Sequence, residues 1–307
     1  MSKKSIVICR LPDAGLGNQL FPLVKAAIFA RLNGLPLIVN GYNRFKIGPY
    51  LRGEKIKRNY RGYFTFQKGF FARQMENLFL LRHADLTKIT EPTVEKLPNE
   101  QIEGKQFYFS EIPHWKDFFA GIREHRELAI ELLWGMIHDR IKTRLAELPP
   151  PSIGMHIRMG DFRKLKANED FKRVGAVRTP EIYFVEMLSA IRKVHGSDLP
   201  VLIFTDGYKK EFETIFSFAN TSMVEGNADI VDMLLLSRSK IIIASAGSTF
   251  SYWSGFLSNA PVILHPDHLH APLRPEQINE LSYEGPFNTE NPDPLLIRNI
   301  VEAKNSE

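Results

Sequence analysis

Short apolar runs, polar turns and amphipathic stretches alternate along this chain in two successive blocks. The first opens on Ile6-Val-Ile-Cys9, followed by the turn-rich Pro12-Asp-Ala-Gly-Leu-Gly17. From about Asn18 to Leu32, residues Leu20, Phe21, Val24, Ala27, Ile28 and Arg31 recur at helical spacing, and Gly34 is placed to stop the helix. Leu35-Pro-Leu-Ile-Val39 then reads as a second strand. Strand, glycine loop, helix and strand form a βαβ unit, which implies a parallel sheet. The pattern from 70 to 148 predicts mostly helix, with one long amphipathic segment from Phe118 to Leu148. Three successive prolines, Pro149 to Pro151, end it, because proline supplies no amide hydrogen to a helix.

The second block repeats the scheme. Ser152 to Ile157 reads as a strand; Thr179 as N-cap, with Pro180 and Glu181 behind it, opens a helix to about Val194. Strands follow at Leu199–Asp206, Lys240–Ser245 and Pro261–His265, with helices at Ile230–Arg238 and Thr249–Leu257. The expected fold class is α/β, with two Rossmann-like domains. The boundary is placed at the prolines, giving domains 1–150 and 151–307, and the last helix is expected to pack back on the first.

Composition narrows the class. The chain has 307 residues, 44% hydrophobic and 24% charged, as expected of a globular protein large enough to bury its own core. The single cysteine, Cys9, rules out an internal disulfide, and its apolar neighbours predict a buried, inert thiol. The first residues lack the apolar core of a signal peptide, and no apolar run nears the roughly 20 residues that span a bilayer. A cytoplasmic protein is expected, with peripheral contact at the inner membrane face as a candidate. The net charge of +5 is uneven: residues 44–73 hold nine Lys/Arg and one acid, interleaved with Tyr50, Tyr60, Tyr63, Phe64, Phe66, Phe70 and Phe71. Such a stretch suits sugar rings or an anionic membrane surface, although a solvated face above core aromatics is the commoner explanation. No nucleic acid is expected as a partner.

In open parallel sheets, ligands bind beyond the carboxyl ends of the strands. In the second block those ends read His156-Ile-Arg-Met-Gly-Asp161, Thr205-Asp206-Gly207 and Ser245-Ala-Gly-Ser-Thr-Phe-Ser251. Together they offer a guanidinium, an imidazole, two carboxylates and a hydroxyl-rich loop entering a helix. A helix start with Gly247, Ser248 and Thr249 presents amides and the positive dipole end, and Arg158 adds a planar fork, so the set suits a diphosphate. Taken singly, Arg158 reads as a surface ion-pair partner, Ser248 as an N-cap, Asp206 as a helix cap and His156 as a core histidine; their convergence favours a ligand. Gly15-Leu-Gly17-Asn18-Gln19 lacks the third glycine of a dinucleotide fingerprint, and Asn40 rather than an acid ends the next strand, which argues against NAD. His265, His268 and His270 beside Asp267 resemble metal ligands only superficially, and no Asp-x-Asp pair is evident, so neither metal nor cofactor is expected.

The Gly15–Phe21 loop, His156-x-Arg158-x-Gly160-Asp161 and the block from Asp232-Met-Leu-Leu-Leu-Ser237 to Ser248-Thr-Phe-Ser-Tyr-Trp253 resemble the bacterial-type α-1,2-fucosyltransferases. The resemblance covers most of residues 5–265. It implies two Rossmann-like domains facing a cleft (a GT-B-like arrangement) and inverting, metal-free transfer of fucose from GDP-fucose to a carbohydrate hydroxyl. It further implies an oligosaccharide or glycolipid acceptor. By position, Arg158 matches the arginine on the donor diphosphate, His156 and Asp232 match nucleotide-recognising residues, and Ser248 and Thr249 match the loop that holds phosphate, with Phe250 beside them in the donor set. Asn18 matches an amide at the opposing domain edge that closes onto the donor, with Gly17 beside it in the donor set. Asp206 joins the donor set from its strand end, and Asp161 is the first candidate for the base, ahead of Glu169 and Asp170. Two positions depart from the family pattern. Met159 stands where a second arginine is usual, a loss worth on the order of 1.5–3 kcal/mol if that arginine held phosphate, with Arg163 or Lys25 as candidate replacements. Gly247 stands where asparagine is common. A GDP-sugar-binding protein without activity, or a transferase of another nucleotide sugar, are the alternative functions.

Overall fold

The computed structural model describes residues 5–42, 51, 60–67, 85–268 and 270–303. The chain falls into two compact units that divide between Lys142 and Thr143. Most of the basic stretch 44–73 lies outside the described residues. Of its aromatics that are described, Tyr60, Tyr63 and Phe64 are buried, so these three are core rather than sugar platforms.

The first unit holds a four-stranded sheet of order β2-β1-β4-β3, parallel throughout. Its strands are β1 (Ile6–Arg10), β2 (Leu37–Asn40), β3 (Thr87–Thr90) and β4 (Lys105–Phe109). Helix α1 (Leu16–Asn33) follows β1 and ends, as the spacing predicts, at Gly34 in the left-handed conformation. It is buried nearly all round rather than on one stripe, which makes it a core helix. Phe29 lies against Phe107 and Phe109 of β4, with ring centroids 4.8 and 5.5 Å away. Cys9 is fully buried in β1, and burial raises its thiol far above the usual range, with Glu91 adding to the shift.

The helical expectation for 70–148 is corrected at two places. Strands β3 and β4 lie inside it, β4 alternating with Phe107 and Phe109 inward behind a turn at Gly104. The segment Phe118–Leu148 is also not one helix but α2 (Arg126–Met136) and α3 (Asp139–Ala146), preceded by short 3₁₀ turns. Its break at Ile137 is a long-range effect. Ile137 bridges to Phe64, and the amides of Thr65 and His138 bond to the Met136 and Tyr63 carbonyls at 2.8 and 2.9 Å.

The second unit is built on a six-stranded parallel sheet of order β10-β9-β8-β5-β6-β7. Its strands are β5 (Ile153–Ile157), β6 (Val201–Thr205), β7 (Thr221–Met223), β8 (Ile241–Ile243), β9 (Val262–Ile263) and β10 (Glu284–Gly285). The chain runs outward from β5 to β7 on one side, then returns to lay β8 to β10 on the other. A topological switch point therefore lies between β5 and β8, where an open parallel sheet leaves a crevice at its carboxyl edge. The helices are α4 (Glu181–His195), α5 (Asp229–Ser237), α6 (Thr249–Leu257) and α7 (Pro294–Glu302). Asp293 caps α7 by accepting from the Leu295 amide at 2.8 Å. Leu296 and Ile300 of α7 and the adjoining Ala303 join the core of this same unit, where the sequence pattern carried the last helix back to the first domain.

Candidate active site

The two strand ends that flank the switch point are tied together by one buried hydroxyl. Ser245, after β8, donates to the His156 carbonyl at 2.8 Å and accepts from the Arg158 amide at 2.9 Å. This fixes the backbone on both sides of Ile157 and leads the chain into Arg158 at the carboxyl edge. The guanidinium is then held from two directions: Nη1 donates to Asp206 at 2.5 Å and Nη2 to Asp161 at 2.6 Å. Asp206 spends its other oxygen on the Met159 amide at 2.7 Å, so it steers Arg158 and does not cap the next helix. Arg158 retains 19% of its side-chain exposure, against 9% for Asp206, which leaves the cation reachable and its anchor covered.

Met159 points the other way. Its side chain is buried in the core with Tyr183 and Phe212, against Gly207, where an added Cβ would stand 2.8 Å from the Met159 Cγ. The thioether therefore fills the interior, and only the backbone of this residue serves Asp206. Of the replacements expected for the missing arginine, Arg163 is committed to Glu169 through both terminal nitrogens at 2.5 and 2.8 Å. Lys25 belongs to the first unit, paired with Glu91 at 2.7 Å.

Beyond β8 the loop Ser245–Ser248 leads into α6. The Ala246 amide donates to Thr179 Oγ1 at 3.0 Å and the Gly247 amide to the Tyr252 hydroxyl at 2.8 Å. Thr179 thus holds this loop rather than capping α4, whose N-cap is Pro180. Ser248 makes no side-chain cap, so the plain N-cap role fails for it. The donors left for an anion are the Thr249 and Phe250 amides, which by position in the first helical turn have no intrahelical acceptor. Burial pushes the Tyr252 phenol up to about 12, opposed by the Gly247 bond, and keeps it a neutral acceptor for that amide.

Gly247 has φ +66°, a conformation that asparagine also tolerates and β-branched residues do not. Nothing would crowd a side chain there. Gly247→Asn is therefore expected to leave the denaturation midpoint nearly unchanged, whereas Gly247→Val should cost about 1–2 kcal/mol; equal stability of both variants would contradict this.

His156 is buried at the end of β5, its ring stacked on Phe250 at 4.8 Å and 22°. Its Nδ1 is buried without a hydrogen-bond partner among the described residues. Burial, with help from the Arg158 charge, lowers its pKa to about 3, so the ring is neutral and offers one donor and one acceptor. His265, in contact with Tyr183 and Phe171, is likewise lowered to about 4, mainly by burial. In the unfolded chain both imidazoles protonate near 6.5, so below that pH the unfolded state binds more protons. Their neutral burial is free of cost above about pH 6.5 and increasingly destabilising as pH falls toward 4. The urea midpoint should drop between pH 7 and 5, and His265→Gln should flatten that drop; an unchanged slope would contradict the assignment.

The structure thus brings together His156, Arg158, Asp161, Asp206, Ser248, Thr249 and Phe250. Asp232 lies on α5, which packs against α6, and accepts from Asn227 at 3.1 Å. Gly17 and Asn18 lie in the first turn of α1 in the other unit; the Asn18 Oδ1 is buried without a partner among the described residues. Ser245, Thr179 and Tyr252 hold this arrangement through hydrogen bonds that the sequence pattern does not reveal. The histidines of 265–270 serve packing: His268 Nε2 meets the Phe171 carbonyl at 3.1 Å, and Asp267 pairs with Lys172 at 3.2 Å. Among the described residues no three His, Cys, Asp or Glu side chains converge as metal ligands, and no helix is long and apolar enough to cross a membrane.

A clamped arginine, helix-start amides and a stacked neutral imidazole at a switch point have the chemistry to hold an anionic, ring-bearing ligand. The profile of glycosyl transferase family 11 matches residues 90–269, and the chain belongs to this family of α-fucosyltransferases. Solved structures similar to the chain include the NodZ α-1,6-fucosyltransferase co-crystallised with GDP, at 16% identity and TM-score 0.48, covering 86% of this chain and 95% of that one. The fucosyltransferase NodZ from Bradyrhizobium matches at 17% identity and TM-score 0.48, covering 87% and 98%. POFUT1 in complex with GDP matches at 13% identity and TM-score 0.48, covering 86% and 98%. No curated protein sequence matches with significance.

Proposed function

We propose that this protein transfers fucose from GDP-fucose to a carbohydrate hydroxyl, forming an α-1,2 linkage with inversion and without a metal. Membership of the family supports the chemistry, and the double clamp on Arg158 beside the α6 start is the observation that carries it. Cleavage of the donor sugar bond builds positive charge on the sugar and negative charge on the departing diphosphate. Arg158 and the Thr249 and Phe250 amides are oriented before the reaction, so stabilising that charge needs little reorganisation. His156 and Phe250 give the nucleoside a neutral, flat wall, and Asp232 accepts from guanine. Asp206 positions Arg158 and Asp161 takes the acceptor proton. Each of the two units is read as a Rossmann-like domain of a GT-B-like enzyme. The acceptor is an oligosaccharide or glycolipid.

Transfer to galactoside acceptors, with the product linkage read by NMR and the assay repeated in EDTA, tests this reading. An α-1,2 product formed in chelator supports it. Asp161→Asn should lower kcat on the order of 10²-fold or more, as for loss of a general base. GDP binding with neither transfer nor donor hydrolysis would instead mark a GDP-sugar-binding protein.

A further inference from the structure

Arg158 does not stand as an isolated cation, since two carboxylates already balance it. A nucleoside diphosphate brings at least two negative charges, so the site needs a second positive group. The turn that follows β5 shows where one stands. The Phe162 amide donates to the Met159 carbonyl at 2.7 Å, which folds Phe162 back beside the clamp. Its ring lies 5.4 Å from the Arg158 guanidinium, and its carbonyl accepts from Arg178 Nε at 2.9 Å. One residue therefore sits between two guanidiniums.

Arg178 is held to this place by its backbone, with its amide donating to the Arg163 carbonyl at 2.9 Å. Its Nη1 makes a single 3.2 Å contact with Glu211. Glu211 in turn accepts from the Tyr208 amide at 2.8 Å, so Arg158 and Arg178 are both anchored to the one loop that follows β6, through Asp206 and Glu211. The Met159 side chain and Glu211 Oε2 both crowd Gly207 in that loop. Arg178 Nη2 has no hydrogen bond among the described residues, and the side chain is 24% exposed. Arg163, its neighbour across the loop, has both terminal nitrogens occupied. In this shell Arg178 is the guanidinium with an open donor edge and one long, displaceable partner.

We propose that Arg178 is a second donor-phosphate ligand, supplying the cation that Met159, turned into the core, does not. This rests on the GDP-sugar reading of the site. The test is calorimetric titration of GDP, with guanosine as a competing ligand, against the unaltered protein, Arg178→Ala and Arg178→Lys. Arg178→Ala should weaken GDP at least about tenfold, as expected for a lost charge-assisted bond, and leave guanosine unchanged. Arg178→Lys should recover part of the loss. Glu211→Gln, which releases the guanidinium, should hold GDP at least as tightly as the unaltered protein. Equal GDP affinity in Arg178→Ala would overturn the proposal, as would a parallel loss for GDP and guanosine, which marks a structural role. Failure of the unaltered protein to bind GDP would remove the donor reading itself, and this inference with it.

Discussion

Arg158→Ala should reduce fucosyl transfer by on the order of 10²–10³ or more, the range for deleting one preorganised donor to a developing charge. The loss should fall on kcat as well as on GDP affinity, because the guanidinium meets more charge in the transition state than in the bound donor. The physical basis is the geometry of the clamp: with Asp206 and Asp161 at 2.5 and 2.6 Å, the fork is held in one orientation before any ligand arrives. Arg158→Lys should recover only a small part, since an ammonium cannot bond two carboxylates and a phosphate in one plane. Asp206 keeps its bond from the Met159 amide in either variant, so the sheet and its core should persist. Steady-state transfer rates beside far-ultraviolet circular dichroism check this; a folded Arg158→Ala protein with full activity would exclude the role.

Arg274→Ala should be the most damaging single change to stability, although the residue is remote in sequence from every site element. Arg274 is fully buried, and Glu284, its 3.2 Å partner on β10, is 3% exposed. Nε is shared between Glu284 and Asn279 Oδ1, the latter at 3.0 Å, and the two terminal nitrogens reach the Ser258, Ala260, Ser282 and Tyr283 carbonyls at 2.7–3.3 Å. It therefore joins the end of α6 to the β10 edge. Removing it strands a buried carboxylate and several carbonyls, a loss of about 3–5 kcal/mol. For a unit of this size that corresponds to a fall in Tm of about 10 °C or more. Calorimetric unfolding reads it directly; a shift under about 2 °C would show that the buried charge is compensated in some other way.

The second unit was legible in the sequence to a greater depth than the first, and the reasons are physical. Its strands are continuous apolar runs separated by turn residues, as buried parallel strands must be. Ile153–Ile157 and Ile241–Ile243 fell where the pattern put them, and α6 matches its predicted bounds. Strand-end polar residues then pointed to the carboxyl edge. In the first unit, β3 carries Thr87-Lys-Ile-Thr90, an exposed edge with no apolar run to announce it. The break between α2 and α3 depends on Phe64, far away in the chain, and periodicity cannot register that. The same limit applies inside the site. Residue types gave Arg158 a phosphate role, but its anchor Asp206 lies 48 positions away, and Ser245 ties strands 89 positions apart. Met159 read as a loss of charge from the site, whereas the fold turns its side chain into the core. Only the turn at Phe162 shows which other arginine stands nearby.

The donor assignment is tested most directly by thermal shift of the unaltered protein with GDP-fucose, GDP-mannose, GDP, UDP-sugars and dTDP-sugars. GDP and GDP-fucose should raise the melting temperature, with a stabilisation of about 2.7 kcal/mol at a hundredfold excess over Kd. UDP- and dTDP-sugars should leave it unmoved, and Arg158→Ala should lose most of the GDP response. Stabilisation by uridine or thymidine sugars alone, or by no guanine nucleotide, would contradict the assignment of this site to GDP-fucose.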